Sequence, residues 1–211
     1  MVFADRFEAG RLLAKALKEY AGDPDTIVVA LPRGGVPVGY VIAKELGVPL
    51  DIYFVKKIPS PYNPEAAIGA VSEDGKEFLN ERAVMMLGVS RPWIDEQKAK
   101  ILKNIAQKRA IYHRPRIPVE GKRVILVDDG VATGASMFLA AKSLKDAGAK
   151  EVIVAVPVAP PDAIALLKQA ADKVIVGQVP PDFMAVGQYY KDFHQLEDDE
   201  VVELLQKAQS L

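Results

Sequence analysis

The sequence contains no cysteine, which excludes a disulfide framework and a thiolate metal site and is typical of an intracellular protein. Acidic and basic residues nearly cancel, to a net charge of −1, so charge gives no reason to expect nucleic acid or an anionic membrane as a partner. No apolar run approaches the length of a membrane span, and charges interrupt the N-terminal stretch where a signal peptide would have an apolar core. These absences predict a cytoplasmic protein.

Five short apolar segments alternate with helical patterns along the 211 residues. The segments are 26–31, 50–55, 124–127, 151–156 and 173–176. Runs of β-branched residues without polar alternation are typical of strands that are covered on both faces. Their alternation with helices predicts an α/β fold with a doubly wound, mainly parallel sheet of about five strands flanked by helices. A chain of this length forms one sizeable core, so we expect a single domain, 1–211.

The stretch 124–136, VILVDDGVATGAS, carries the strongest functional pattern. An apolar strand is followed by Asp128 and Asp129, then by a loop of small residues that leads into a helical pattern. Such a loop is suited to bind an anion, because free backbone N–H groups and the positive end of the helix dipole point at the same place. The hydroxyl groups of Thr133 and Ser136 can add hydrogen bonds.

The two adjacent carboxylates restrict what this anion can be. A phosphate and a carboxylate repel each other at short range, so a group that bonds to both must lie between them. A divalent cation or a sugar could do this, and a phosphorylated ribose would place its hydroxyls on Asp128 and Asp129 and its phosphate in the loop. The alternative is an ordinary strand–helix turn in which Asp129 is a local cap.

VILVDDGVATGAS resembles the phosphoribosyl pyrophosphate (PRPP) signature of the type I phosphoribosyltransferases. The resemblance implies a transferase of nucleotide metabolism that moves the 5-phosphoribosyl group of PRPP to a nitrogenous acceptor, expected to be a nucleobase, and releases pyrophosphate. A PRPP-binding regulatory protein without turnover is the alternative, since some relatives control transcription. The resemblance also implies Mg²⁺ as the cofactor, with Asp128 and Asp129 as contacts through water, and a homodimer.

A second strand–loop–helix junction, Pro32-Arg33-Gly34-Gly35, lies where the family places its pyrophosphate loop. Arg33 can bind an anion bidentately, although the residues also suit an ordinary turn. We look for a cis peptide bond at Arg33–Gly34. Asp128, Asp129 and Arg33 are the expected catalytic residues. The residues expected to bind substrate are Arg33, Gly34, Gly35, Lys56, Lys57, Asp128, Asp129, Val131, Ala132, Thr133, Gly134, Ala135, Ser136 and Tyr189.

Residues 56–80 correspond to the flexible loop that closes over PRPP in the family and excludes water. Prolines at 59, 61 and 64 indicate a loop start, and 67–71 with 76–79 have the pattern of a hairpin. Lys56 and Lys57 could contact pyrophosphate or be solvated surface lysines. After a helix predicted over 92–111, the basic residues Arg109, Arg114, Arg116 and Lys122 are interpreted as a solvated helix end. The alternative is a nucleic-acid-binding arm, which neither interleaved aromatic residues nor a strongly basic balance supports.

Residues 178–196 correspond to the small hood that binds the acceptor base in related enzymes. Tyr189 could stack on a base or, with Tyr190 and Phe193, anchor the tail to the core. His113 and His194 have no metal-ligand partner pattern and are interpreted as structural or solvated.

The sequence leaves the acceptor open. Ala132 stands where the hypoxanthine-guanine enzymes have an aspartate that acts as an acid and base, and alanine cannot replace it. The string ATG is closer to the adenine and uracil enzymes. Glu65, in the loop that follows the proline-rich start, is the candidate base.

Overall fold

The computed structural model describes residues 1–112 and 114–209. Single 3-10 turns lie at Lys18–Tyr20 and Val186–Tyr189. The strands are β1 Thr26–Ala30, β2 Leu50–Ile52, β3 Val55–Pro59, β4 Ala67–Ser72, β5 Glu77–Leu79, β6 Arg123–Val127, β7 Glu151–Val158 and β8 Lys173–Gln178. The helices are α1 Arg6–Ala16, α2 Gly35–Leu46, α3 Glu81–Leu87, α4 Arg91–Ile111, α5 Ala135–Asp146, α6 Pro161–Leu167 and α7 Asp198–Ala208.

A five-stranded parallel sheet in the order β2-β1-β6-β7-β8 forms the centre of the fold. Successive residues of β1 face opposite sides, so that Val28 packs in one cluster of buried residues and Val29 in the other. The first cluster includes buried residues of α1, α2 and α7, and the second those of α5 and α6. The predicted doubly wound sheet with helices on both faces is therefore confirmed.

The helices begin and end close to their sequence signals. Asp5 caps α1, since its carboxylate accepts a hydrogen bond from the Glu8 N–H (2.9 Å). Ser90 caps α4 through the Trp93 N–H (3.2 Å), which starts this helix one residue before its predicted position. None of the helices within 1–112 and 114–209 has both the length and the hydropathy of a membrane span.

The prediction of one strand at 50–55 followed by a loop is wrong. β2 ends at Ile52, and β3 begins at Val55 and pairs antiparallel with β4 in a separate three-stranded sheet, β3-β4-β5. The apolar run continues through Tyr53 and Phe54, so the sequence gives no signal that the chain leaves the parallel sheet after β2 and enters a second sheet at β3. The prolines begin only at the last residue of β3, Pro59, where the register of the β3–β4 ladder shifts, so the pairing from Val55 to Ile58 is regular. The predicted hairpin is confirmed as β4 and β5.

The interpretation of Arg109 and Arg114 as a solvated helix end is also wrong. The Arg109 guanidinium forms two hydrogen bonds with the Glu73 carboxylate (2.9 and 3.0 Å) and lies 3.4 Å from Asp51. Their side chains are only 13%, 6% and 5% exposed. We call Asp51, Glu73, Arg109 and Arg114 the Arg109 cluster. It connects the edge strand β2, the turn after β4 and the end of α4, and the Arg114 guanidinium donates to the Leu50 carbonyl.

Candidate functional site

The acid pair lies at the carboxyl end of β6, in the middle of the parallel sheet. The Asp128 carboxylate accepts a hydrogen bond from the Asp129 N–H (2.8 Å). Burial and the neighbouring charge of Asp129 raise the pKa of Asp128 well above its usual range, although this N–H and the cation of Arg6 oppose the shift. Asp128 therefore takes up a proton more readily than an exposed aspartate.

Arg6, at the start of α1, holds the second acid. Its Nε donates to Oδ2 of Asp129 (3.0 Å), and its Nη1 donates to the His194 carbonyl (2.9 Å). The guanidinium lies over the Phe193 ring, 4.2 Å from the ring centroid. The Tyr190 hydroxyl donates to the Asp129 carbonyl (2.6 Å). Asp129 is thus fixed by both ends of the chain, a contact for which the sequence contains no local signal.

The turn between β1 and α2 lies directly against the acid pair. A Cβ atom at Gly34 would overlap the Asp129 carboxylate, and one at Gly35 would lie 2.9 Å from the Val127 carbonyl. Glycine is required here because the two backbones approach so closely. The cis peptide bond joins Pro32 to Arg33, so its predicted position at Arg33–Gly34 is wrong by one residue.

The small-residue loop forms a cavity of about 220 Å³, which we call the phosphate-loop cavity. Gly134, at φ +88°, is the N-cap of α5 and has no side chain to cap it. The Thr133 hydroxyl accepts the Ala135 N–H at 3.3 Å. The N-terminus of α5 therefore opens into this cavity, as an anion site requires. Its lining consists of Lys57, Asp128, residues 130–137 and Val186.

The structure separates the two lysines that were expected to contact one anion. Successive residues of β3 face opposite sides, and only Lys57 lines the phosphate-loop cavity. Lys56 lines a second cavity of about 310 Å³, which we call the Lys108 cavity. The Lys108 cavity is lined by Pro32, Arg33, Phe54, Lys56, Lys108 and Tyr112.

Some residues of the hood pack against the rest of the fold, and one of them lines the phosphate-loop cavity. Tyr190 lies between Phe3 (5.5 Å between centroids) and Phe193 (5.1 Å), so this aromatic group anchors the tail. Tyr189 is 8% exposed and stacks on Phe183, with ring planes 10° apart. Val186, which the sequence analysis did not single out, lines the phosphate-loop cavity instead. Base stacking by Tyr189 stays a prediction.

His194, which was expected to be structural or solvated, has half of its side chain exposed. Its ring nitrogens lie 2.8 Å from the carboxylates of Asp192 and Glu200. These two partners raise the pKa of His194. His113 lies outside the described residues.

The donor set fits a magnesium ion that arrives with its substrate. The described residues contain no group of three or more His, Cys, Asp or Glu side chains that could hold a metal ion. Mg²⁺ commonly binds through one or two carboxylates together with substrate phosphates and water. Asp128 and Asp129 supply two carboxylates, of which Asp129 is already bonded to Arg6.

Comparisons with known proteins agree on one family. The sequence model of the phosphoribosyl transferase domain matches residues 5–193. Rv0571c of Mycobacterium tuberculosis H37Rv, named as a candidate phosphoribosyl transferase, is 40% identical over 209 residues, which are 98% of this chain and 47% of that protein. The chain thus spans about half the length of this relative.

A solved structure and a regulator are also similar to all or part of the chain. The crystal structure of TT1426 from Thermus thermophilus matches with a TM-score of 0.82 and 41% identity, covering 98% of this chain and 99% of that one. A stretch of 62 residues is 41% identical to the transcriptional regulator GfcR of Methanococcoides burtonii, which is 29% of this chain and 28% of that protein.

Proposed function

The chain belongs to the phosphoribosyl transferase domain family, and on this premise we propose that it moves the 5-phosphoribosyl group of PRPP to a nitrogenous acceptor and releases pyrophosphate. The observation that carries the proposal is the convergence of the acid pair, the two-glycine turn and the start of α5 at the carboxyl end of the parallel sheet. A nucleobase is the acceptor that the family resemblance favours.

The 5′-phosphate would bind at the N-terminus of α5. The N–H groups of Ser136 and Met137 and the hydroxyls of Thr133 and Ser136 would donate to it, helped by the helix dipole. The ribose hydroxyls would donate to Asp128 and Asp129, which lie between the end of β6 and the small-residue loop. A sugar thereby separates the phosphate from carboxylates that would otherwise repel it.

The leaving diphosphate would lie over the Gly34–Gly35 backbone, where Arg33 and Lys56 supply positive charge, while Lys57 would supply positive charge to the phosphate-loop cavity. A magnesium ion, when bound, would neutralise part of the diphosphate charge. As the bond to the ribose C1 breaks, the ring gains positive charge, and the acid pair stabilises it. Closure of residues 56–80 over PRPP, base contacts by Tyr189 and proton transfer by Glu65 belong to this proposal as well.

A screen of nucleobases and other amines with PRPP and Mg²⁺, following pyrophosphate release, tests the proposal. We expect one acceptor to raise release above the hydrolytic background. The Asp128→Asn/Asp129→Asn variant should show no such increase and is the negative control. If the protein binds PRPP but no acceptor raises pyrophosphate release above the hydrolytic background, the result would contradict transferase activity.

The second candidate is a PRPP-binding regulator without turnover. The observation that favours it is the identity with the transcriptional regulator GfcR. The same screen separates the candidates, because a regulator would bind PRPP and release no pyrophosphate with any acceptor. Sedimentation of the full chain would test the homodimer that the family resemblance leads us to expect.

A further inference from the structure

A cavity of about 370 Å³, which we call the Arg114 cavity, lies beside the amino end of the edge strand β2. The acid pair and the phosphate loop follow the carboxyl end of β6, which runs parallel to β1 and β2. The Arg114 cavity therefore lies at the opposite end of the sheet from the candidate active site. It is lined by Gly47, Val48, Pro49, Leu50, Arg114, Ala208 and Gln209.

Arg114 is a buried cation with unused hydrogen-bond donors. Its side chain is only 9% exposed. A guanidinium has five N–H donors, and within residues 1–112 and 114–209 this one forms a single hydrogen bond, from Nη2 to the Leu50 carbonyl. Its Nε is buried and has no partner among these residues. Buried polar groups are normally bonded, so the unpartnered donor points to a group that this part of the chain does not supply.

The neighbouring charges neutralise Arg114 poorly. The Asp51 carboxylate lies 4.0 Å from its Nε, beyond hydrogen-bond distance, because it accepts the Ile117 N–H (2.8 Å) and lies closer to Arg109 (3.4 Å). Burial lowers the pKa of Arg114, and Asp51 opposes this shift while Arg109 adds to it. Arg114 is therefore the less engaged of the two cations in the Arg109 cluster, and an anion beside it would be stabilised.

We propose that the Arg114 cavity binds a small organic monocarboxylate, whose carboxylate accepts hydrogen bonds from Arg114 and whose carbon chain lies against apolar walls. Arginine binds carboxylates through paired N–H donors in a plane. The apolar walls are Val48, Pro49, Leu50 and Ala208. A volume of about 370 Å³ is near the lower limit for ligand sites, so the occupant is small.

The charges around the cavity favour one negative charge over two. Arg114 is the one cation that the described residues bring to its lining. Ala208 and Gln209 lie at the carboxyl end of α7, where the helix dipole is negative. A phosphate ester would bring a second negative charge against this helix end, whereas a carboxylate brings only one. The Arg114 cavity thus differs in ligand chemistry from the phosphate-loop cavity, which lies at the amino end of α5.

NMR of the ¹⁵N-labelled full chain tests the proposal, because the Nε–H resonance of Arg114 reports directly on a new hydrogen bond. The probes are acetate and butanoate, with butanamide as the uncharged control of matched size. We expect butanoate to shift this resonance, and affinity to rise about fourfold for each added methylene group. Butanamide should bind at least about tenfold more weakly than butanoate, since its oxygen carries no charge.

Two variants act on different parts of the cavity. Arg114→Lys keeps the positive charge but not the paired donors and should weaken butanoate binding about tenfold, measured on the backbone amide resonances of Gly47 and Val48. The matched control is Arg116→Lys, which changes a side chain that is 39% exposed and should bind butanoate as the wild type does. Ala208→Leu fills the cavity without removing the cation and should also weaken binding, which keeps the test decisive should Arg114→Lys fold poorly.

Equal butanoate affinities in Arg114→Lys and Arg116→Lys, or in the wild type and a folded Ala208→Leu, would overturn the proposal. An Arg114 Nε–H resonance that butanoate leaves in place would do the same. Displacement of butanoate by ribose 5-phosphate would also overturn it, because the carboxylate would then lie in the phosphate-loop cavity. Equal affinities for acetate and butanoate would contradict the apolar walls.

Discussion

Lys108 and Arg109 are consecutive residues of α4, but the protein uses their charges in different ways. Arg109 is 13% exposed and lies within 3.4 Å of the carboxylates of Glu73 and Asp51. Lys108 shares one carboxylate, Asp198, with two other groups and borders a cavity. The difference indicates that the charges of the Arg109 cluster hold three elements together, whereas those of the Lys108 cavity are left available for a ligand.

Removing a cation should therefore affect folding in one cluster and binding in the other. Arg109→Ala removes the nearest cation from two buried carboxylates and leaves Asp51 and Glu73 only the more distant Arg114 and Arg116, which should lower the free energy of unfolding by about 3 kcal/mol. Urea denaturation measures this change. The control is Arg91→Ala, whose side chain is half exposed and whose ion pairs should contribute little to stability because water screens them. A similar loss in both variants would contradict the structural role of the Arg109 cluster.

The acid pair provides the corresponding test in the phosphate-loop cavity. Asp128→Asn/Asp129→Asn should weaken ribose 5-phosphate binding about 100-fold, since two hydrogen bonds to charged groups are lost. Inorganic phosphate, which needs only the loop, should bind at least as well as before. Calorimetry measures the affinities for both ligands, and a urea titration measures the free energy of unfolding. Unchanged affinity for ribose 5-phosphate would contradict the role of the pair.

Arg6 tests whether the position of Asp129 matters as well as its charge. Arg6→Lys keeps the positive charge but cannot bond to Asp129 and to the His194 carbonyl while stacking on Phe193. We expect ribose 5-phosphate affinity to fall about tenfold, with inorganic phosphate unaffected. Arg11→Lys, on the exposed side of α1, is the matched control. Equal losses for both ligands would indicate a merely structural contact.

The smallest effect should come from the exposed pairs of His194. Asp192 and Glu200 raise the pKa of His194 above its unfolded value, about 6.5, so their stabilisation is complete below that pH and is lost as the pH rises through the folded pKa. His194→Gln should therefore lower the melting temperature slightly at pH 5 and leave it unchanged at pH 9. A difference that grows with pH would contradict this assignment.

The sheet and the phosphate loop could be predicted from sequence because their signals are local. Buried parallel strands are continuous apolar runs, and the loop, its acids and its helix all lie within residues 124–146. The change of sheet between β2 and β3 could not be predicted, since Tyr53 and Phe54 are as apolar as the strand before them. Both residues are buried without belonging to either strand.

The partners of the charged residues could not be predicted, because they lie far apart in sequence. Arg6 and Asp129 are 123 residues apart, Lys108 and Asp198 are 90 apart, and Arg109 and Asp51 are 58 apart. A basic residue at a helix end has the same sequence pattern whether it is solvated or buried in an ion pair. Only the tertiary approach of a carboxylate decides between these two outcomes.

A crystal structure of the protein soaked with ribose 5-phosphate tests the site most directly. The phosphate should lie within hydrogen-bond distance of the N–H groups of Ser136 and Met137, and the 2′- and 3′-hydroxyls should donate to Asp128 and Asp129. A sugar phosphate bound elsewhere, or a phosphate in the loop with its ribose turned away from both carboxylates, would contradict phosphoribosyl binding at the end of β6.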